Sequence, residues 1–214
     1  VKLTVFGATG GTGRQVLGQA VNAGHEVTAV VRDRARLPAE LRDRVEVVEV
    51  DVMDPGAIEE TVKGRDAVIS AIGARDLRSP SSVCADSARS IIAAMRAAGG
   101  GGRLVMASNS AMAPGPGDDA FTRYVVKPLI LARVLRYMID DMRRAERLVR
   151  ASGLDWTIVR AGRLTDRPGK AAYRSAIDRN VLGGFQITRA DLATALLDAA
   201  ADPALAGHVI SAGN

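Results

Sequence analysis

Residues 1–13 read VKLTVFGATGGTG, a short apolar strand that runs directly into Gly7-Ala8-Thr9-Gly10-Gly11-Thr12-Gly13. Glycines at 7, 10 and 13 set a G-x-x-G-x-x-G spacing. A strand that turns sharply into a helix needs a residue without a side chain at the turn. A second such residue lets backbone approach a pyrophosphate, and a third lets the helix pack closely on the sheet. Helix-start amides and the helix dipole then face the phosphates. The surroundings fit this reading. A β-branched strand precedes the loop, and Val16, Leu17, Ala20 and Val21 follow at helical spacing until Asn22-Ala23-Gly24. The stretch reads as a dinucleotide-binding turn, in preference to a glycine-rich structural one.

Along the rest of the chain, apolar strand-like runs alternate with helical patterns. Strands are expected over 3–6, 27–31, 45–50, 67–71, 104–107, 156–159 and 208–211. Helices are expected over 12–23, 55–62, 82–98, 129–151 and 189–200, with Asp54-Pro55 as a cap followed by proline at the first helical position. This alternation predicts an α/β fold: a Rossmann-like, doubly wound parallel sheet. Residues 1–214 read as a single domain with a small C-terminal substrate-side extension, without repeat or dividing linker. The segment 113–132, rich in Pro and Gly, breaks the alternation after the fifth strand. It is either a lid or substrate wall, or a variable surface loop.

Bulk properties exclude several classes. A 47 % hydrophobic and 25 % charged composition is that of a soluble globular chain, and no apolar run approaches a membrane span. A signal peptide is not expected at the start. Cys84 is the one cysteine, which rules out an internal disulfide and favours a cytoplasmic setting. With only His25 and His208 besides, no His/Cys metal site is expected. The net charge of +5 comes from dispersed arginines with 3 % aromatic content, a poor footprint for nucleic acid but compatible with an anionic cofactor.

The end of the second strand discriminates between cofactors. An acidic residue there binds the ribose 2′-hydroxyl of NAD, whereas arginine suits the 2′-phosphate of NADP. Here the strand ends Val30-Val31-Arg32-Asp33-Arg34, so Arg32 points to NADP (as NADPH). Asp33 is the competing reading, since a small register shift would turn it to the ribose. Arg34 is either a further contact or a solvated charge. Asp51 and Val52, ending the third strand, are expected to border the adenine, with Asp51 equally suited to cap a helix. Ile72 and Gly73, ending the fourth, are expected beside the cofactor.

GATGGTG, AGHEVTAVVRDRARLP, DVMDP, GRDAVISAIGARDLRSPSS and SGLDWTIVRAGRLTDRP together resemble the atypical short-chain dehydrogenase/reductase group. The NmrA-like NAD(P)H-binding proteins and, most closely, the flavin reductase/biliverdin-IXβ reductase type show this pattern. The resemblance places the dinucleotide loop on Gly7, Thr9, Gly10, Thr12 and Gly13, with Gly11 inside it, and the 2′-phosphate arginine on Arg32. It places adenine-side residues on Asp51 and Val52, the cofactor-side glycine on Gly73, and a substrate-side arginine on Arg75. The family's Ser/Thr pair beyond the fifth strand falls in Ser108-Asn109-Ser110. Where typical members carry Tyr-x-x-x-Lys, this chain has Met138 and Met142, neither able to move a proton.

Hydride transfer needs nicotinamide held against an electrophile and something to stabilise the developing charge. Ser108, Asn109, Ser110 and Arg75 are the candidate catalytic residues, with Arg78, Arg160 and Arg163 as further cationic candidates. The serines and Asn109 equally suit a structural role at the strand–loop junction. Flavin or quinone needs little enzyme acid, which favours a planar aromatic small-molecule acceptor in a monomer or weak homodimer. A non-catalytic NADP(H) sensor and a non-redox isomerase or cyclase are the other readings.

Overall fold

The computed structural model describes residues 1–74, 76, 79–112, 114–170 and 172–214. Its order is β1 (Lys2–Phe6), α1 (Gly11–Asn22), β2 (Glu26–Val31), α2 (Ala39–Arg42), β3 (Glu46–Glu49), α3 (Pro55–Val62), β4 (Ala67–Ser70), α4 (Val83–Ala97) and β5 (Arg103–Asn109). A wide, π-wound helix spans Thr122–Leu131, followed by α5 (Ala132–Val134) and α6 (Arg136–Arg150). Then come β6 (Asp155–Ala161), β7 (Arg163–Thr165), β8 (Arg174–Ile177), β9 (Gln186–Thr188), α7 (Arg189–Ala201) and β10 (Val209–Gly213).

The main sheet runs β3-β2-β1-β4-β5-β6-β10-β8. All neighbours are parallel except β8, which pairs antiparallel with β10. This is the doubly wound, Rossmann-like order, with β1 and β4 flanking the point where the winding reverses. β7 and β9 form a separate parallel pair. The substrate-side addition is therefore inserted between β6 and α7, while the chain's last strand returns to the main sheet beside β6.

Both sheet faces are covered, which is why the inner strands read as continuous apolar runs. Leu3 and Val5 of β1 pack with Leu17 of α1 and Leu196 of α7. Phe6, on the opposite face, joins Ile58 of α3, Ile91 of α4 and Met142 of α6. Each such fully buried side chain contributes about 1.5–3 kcal/mol. α3 begins as expected, with Asp54 Oδ1 accepting from the amides of Gly56 at 3.0 Å and Ala57 at 3.3 Å. α4 is capped from a distance: the buried Asp141 carboxylate on α6 accepts from the amides of Cys84 and Ala85, each at 3.0 Å. A carboxylate at a helix start satisfies orphan amides and complements the dipole.

Two expectations are corrected. The helix expected over 129–151 starts upstream, as the π-wound turn that contains Pro128, and breaks at Leu135 (φ −107°, ψ 20°) before α6. Proline cannot donate to the i−4 carbonyl, and a wide turn absorbs that missing bond. The short strands β7, β8 and β9 lack an apolar alternation and were not expected. No helix among the described residues is long and apolar enough to cross a membrane.

Candidate functional site

The glycine loop sits at the carboxyl end of β1. Gly7 has φ +75°, and a Cβ there would lie 2.7 Å from the carbonyl carbon of Ala71. A Cβ on Gly13 would lie 2.2 Å from Gly7 O, so α1 can pack this closely only at glycine. The Gly10 amide donates to Gly7 O at 2.9 Å. Gly10 caps α1 without a side-chain acceptor, which leaves first-turn amides for a bound anion. Gly7, Thr9 and Gly10 line a cleft of about 440 Å³. Gly11, Thr12 and Gly13 do not line it: Gly11 is exposed at the first position of α1, Thr12 is buried, and Gly13 serves the packing.

The same cleft runs past β2 and β3. Exposed Arg32 lines it with Val30, Val31, Asp51 and Val52. Asp33 is committed elsewhere: its Oδ1 accepts from Ala35 N at 2.9 Å, starting the turn Arg34–Arg36. The Arg34 amide donates to Glu49 at 3.0 Å. Asp51 borders the cleft and also holds a turn, its Oδ1 accepting from Met53 N at 3.0 Å. Ile72, Gly73 and Ala74 form the facing wall, and a Cβ on Gly73 would meet nothing within 4 Å. Uncapped amides, a glycine cradle and a cation at the end of β2 fit a dinucleotide.

A second cavity of about 700 Å³ shares Ala74 with the first. Asn109 and Ser110 line it from the end of β5, Leu131, Leu135 and Met138 from the helical side, and Leu164 and Phe185 from the insertion. Arg163 and Arg189 supply cationic groups. Asn109 Oδ1 accepts from Ala111 N at 2.7 Å, which fixes the side chain as a turn is made. Among the described residues of both walls there is no tyrosine.

Ser108 does not join this group. Its hydroxyl donates to Glu146 Oε1 at 2.8 Å, because alternate residues of a strand face opposite sides and Ser108 faces α6. Arg160 is likewise turned to Glu146, with Nε and Nη2 at 2.8 and 2.6 Å. Arg75 and Arg78 lie outside the described residues. Met142 is buried in the core behind α6. Cys84, near the cleft's rim, has its thiol pushed up to about 12 by burial first and by the neighbouring Asp141 carboxylate next.

The segment 114–132 is a wall of the second cavity. Lys127 Nζ holds both oxygens of Asp118 at 2.8 Å, and both side chains are buried. Asn180, from the insertion, donates to Asp118 Oδ2 at 2.9 Å. Sequence reading missed Asp118 and Asn180, whose contact spans 62 residues and leaves no local signature. It also missed Arg189, although Thr188-Arg189-Ala190-Asp191 carries a helix-start pattern. Thr188 Oγ1 accepts from Asp191 N at 3.0 Å and donates to Asp191 Oδ2 at 2.8 Å.

Comparison with known proteins agrees with this fold. A short-chain dehydrogenase/reductase of Veillonella parvula, solved in complex with NADP, superposes with TM-score 0.79 at 22 % identity, covering 100 % of this chain and 94 % of that one. ChuY, an anaerobillin reductase of Escherichia coli O157:H7, gives TM-score 0.76 at 23 % identity over 99 % and 96 %. SP1627 of Streptococcus pneumoniae, described as a candidate NADH-flavin reductase, gives 0.77 at 24 % over 100 % and 99 %. The model of the family described as NAD(P)H-binding matches residues 7–203. With nearly its whole length so matched, the chain belongs to the NAD(P)H-binding family.

Proposed function

We propose that this chain is an NADPH-dependent reductase that passes hydride to a planar aromatic acceptor: a flavin, a quinone or a polycyclic ketone. One observation carries the reading. The second cavity presents mainly apolar surface, although polar side chains also line it, and it meets the dinucleotide cleft at Ala74. A bound reduced nicotinamide supplies the hydride. Gly73 leaves space at that junction, and Leu131, Leu135, Met138 and Phe185 exclude water from a flat ring. Ser110 is the hydroxyl at the end of β5 placed to hydrogen-bond the acceptor oxygen, with Asn109 beside it. Arg163 favours negative charge as it develops.

An acceptor whose reduced anion takes its proton from water needs no enzyme acid. That matches walls with no tyrosine among their described residues, and Met138 at the position where the family resemblance puts a typical dehydrogenase's proton donor. The reductases among the structural neighbours support the same class. Arg32 favours NADPH over NADH, supported by the engagement of Asp33 in its own turn and by the neighbour that binds NADP. Arg75 remains the substrate-side arginine that the family resemblance implies. Residues 1–214 act, in this reading, as one cytoplasmic domain, monomeric or weakly dimeric.

The test follows reduced-nicotinamide absorbance with NADPH or NADH and a panel of flavins, quinones and aromatic ketones. Oxidation of NADPH by at least one panel member, in preference to NADH, is expected. Tight NADPH binding without oxidation would instead favour a sensor. Turnover of an isomerisable substrate without cofactor consumption would favour an isomerase.

A further inference from the structure

We propose that Arg189 is a cofactor-anion clamp, donating from its guanidinium to the pyrophosphate of the dinucleotide beside Gly11, at the start of α1. Arg189 opens α7, and its side chain lies across the first residue of α1. A Cβ on Gly11 would come within 2.5 Å of Arg189 Nε and 2.6 Å of Cδ, so the absence of a side chain at Gly11 makes room for this arginine. Arg189 also lines the second cavity.

Its hydrogen bonding is incomplete. Nε faces Asp166 Oδ1 at 3.0 Å, and Asp166 is 83 % exposed, so that pair is screened. Nη1 is buried and has no partner among the described residues. A buried guanidinium donor left unmatched is costly unless an acceptor arrives. The adjacent α1 start has no side-chain cap, so its amides are further donors beside the guanidinium for the same anion.

The arginine is held in place by its helix. Gln19 of α1 donates to Ala190 O at 2.9 Å and accepts from Thr194 at 3.0 Å, which locks α7 against α1. A preorganised cation loses little freedom on binding, and charge-assisted bonds to phosphate are strong.

The inference rests on a dinucleotide lying along the glycine loop, which NADPH binding by the unmodified protein checks separately. The experiment measures Kd of Arg189→Met and Arg189→Lys by calorimetry for three probes: NADPH, 2′-phospho-ADP-ribose and 2′-AMP. The first two carry a pyrophosphate and the third does not. Arg189→Met is expected to weaken the first two about 10- to 100-fold and leave 2′-AMP unchanged, with Lys recovering part of the loss. An equal loss for 2′-AMP would overturn the proposal by showing general damage to the cleft. Unchanged NADPH and 2′-phospho-ADP-ribose affinity would overturn it as well, including the case where only the KM of an anionic acceptor rises.

Discussion

Ser108 and Glu146 are joined by a 2.8 Å hydrogen bond that turns Ser108 toward α6 and into the framework, away from the second cavity. Glu146 is the centre of that framework: Arg160 grips both its oxygens, and Arg150 approaches at 3.6 Å. Two residues along, Ser110 faces the acceptor cavity. Ser108→Ala is therefore expected to cost about 1 kcal/mol of stability with kcat unchanged. Ser110→Ala should leave stability unchanged and lower kcat about tenfold or more. Chemical denaturation and steady-state kinetics on both variants separate the roles.

Arg32→Ala is expected to weaken NADPH binding about 10- to 100-fold while NADH binding changes little, as loss of a charge-assisted phosphate contact requires. Titration of each cofactor into both proteins measures this. Equal losses for the two cofactors would remove the assignment of Arg32 to the 2′-phosphate.

Lys127→Met should loosen the wall of the acceptor cavity. It strands the buried Asp118 carboxylate beside Asn180, a change that costs about 3–5 kcal/mol when a buried pair loses one partner. The cost is expected locally, as faster proteolysis within 114–132 and a higher acceptor KM at unchanged NADPH affinity. Adding Asp118→Asn should restore part of the resistance, because the stranded charge is then gone.

Cys84 gives a pH dependence with a definite sign. Its thiol is raised from 9.0 to about 12, chiefly by burial. Below pH 9 folded and unfolded chains both keep the proton, and the group adds no pH dependence. Between pH 9 and 12 the unfolded chain releases it first, so stability falls as pH rises, by at most about 1.4 kcal/mol per pH unit. Cys84→Ala should flatten that part of the stability curve relative to the unmodified protein. Alkylation of Cys84 at pH 8 should require unfolding.

The parallel, doubly wound sheet was legible because β1, β2, β4 and β5 carry mostly apolar runs separated by helical spacing. The cleft was legible because Gly7 and Gly13 are glycines that close backbone approach requires, at the spacing of a dinucleotide loop. The insertion was not. Strands of three or four residues, as in β7 and β9, have no periodicity to read, and the latch between Asp118 and Asn180 is made by tertiary packing alone. The helix expected over 129–151 begins earlier because Pro128, a residue that normally ends a helix, is tolerated inside a π-wound turn. The serine pair shows the remaining limit. Strand alternation separates Ser108 from the neighbouring Asn109, but only the packing of α6 on β5 shows which of them faces the acceptor.

The most direct measurement is a single turnover under anaerobic conditions, with protein saturated in NADPH and mixed with a quinone or flavin. The absorbance of the reduced nicotinamide is followed with unlabelled cofactor and with cofactor deuterated at the transferred position. A decay that slows with deuterium is predicted, because hydride leaves the nicotinamide for an acceptor held in the apolar cavity. Saturated NADPH that no member of the acceptor panel oxidises would contradict it.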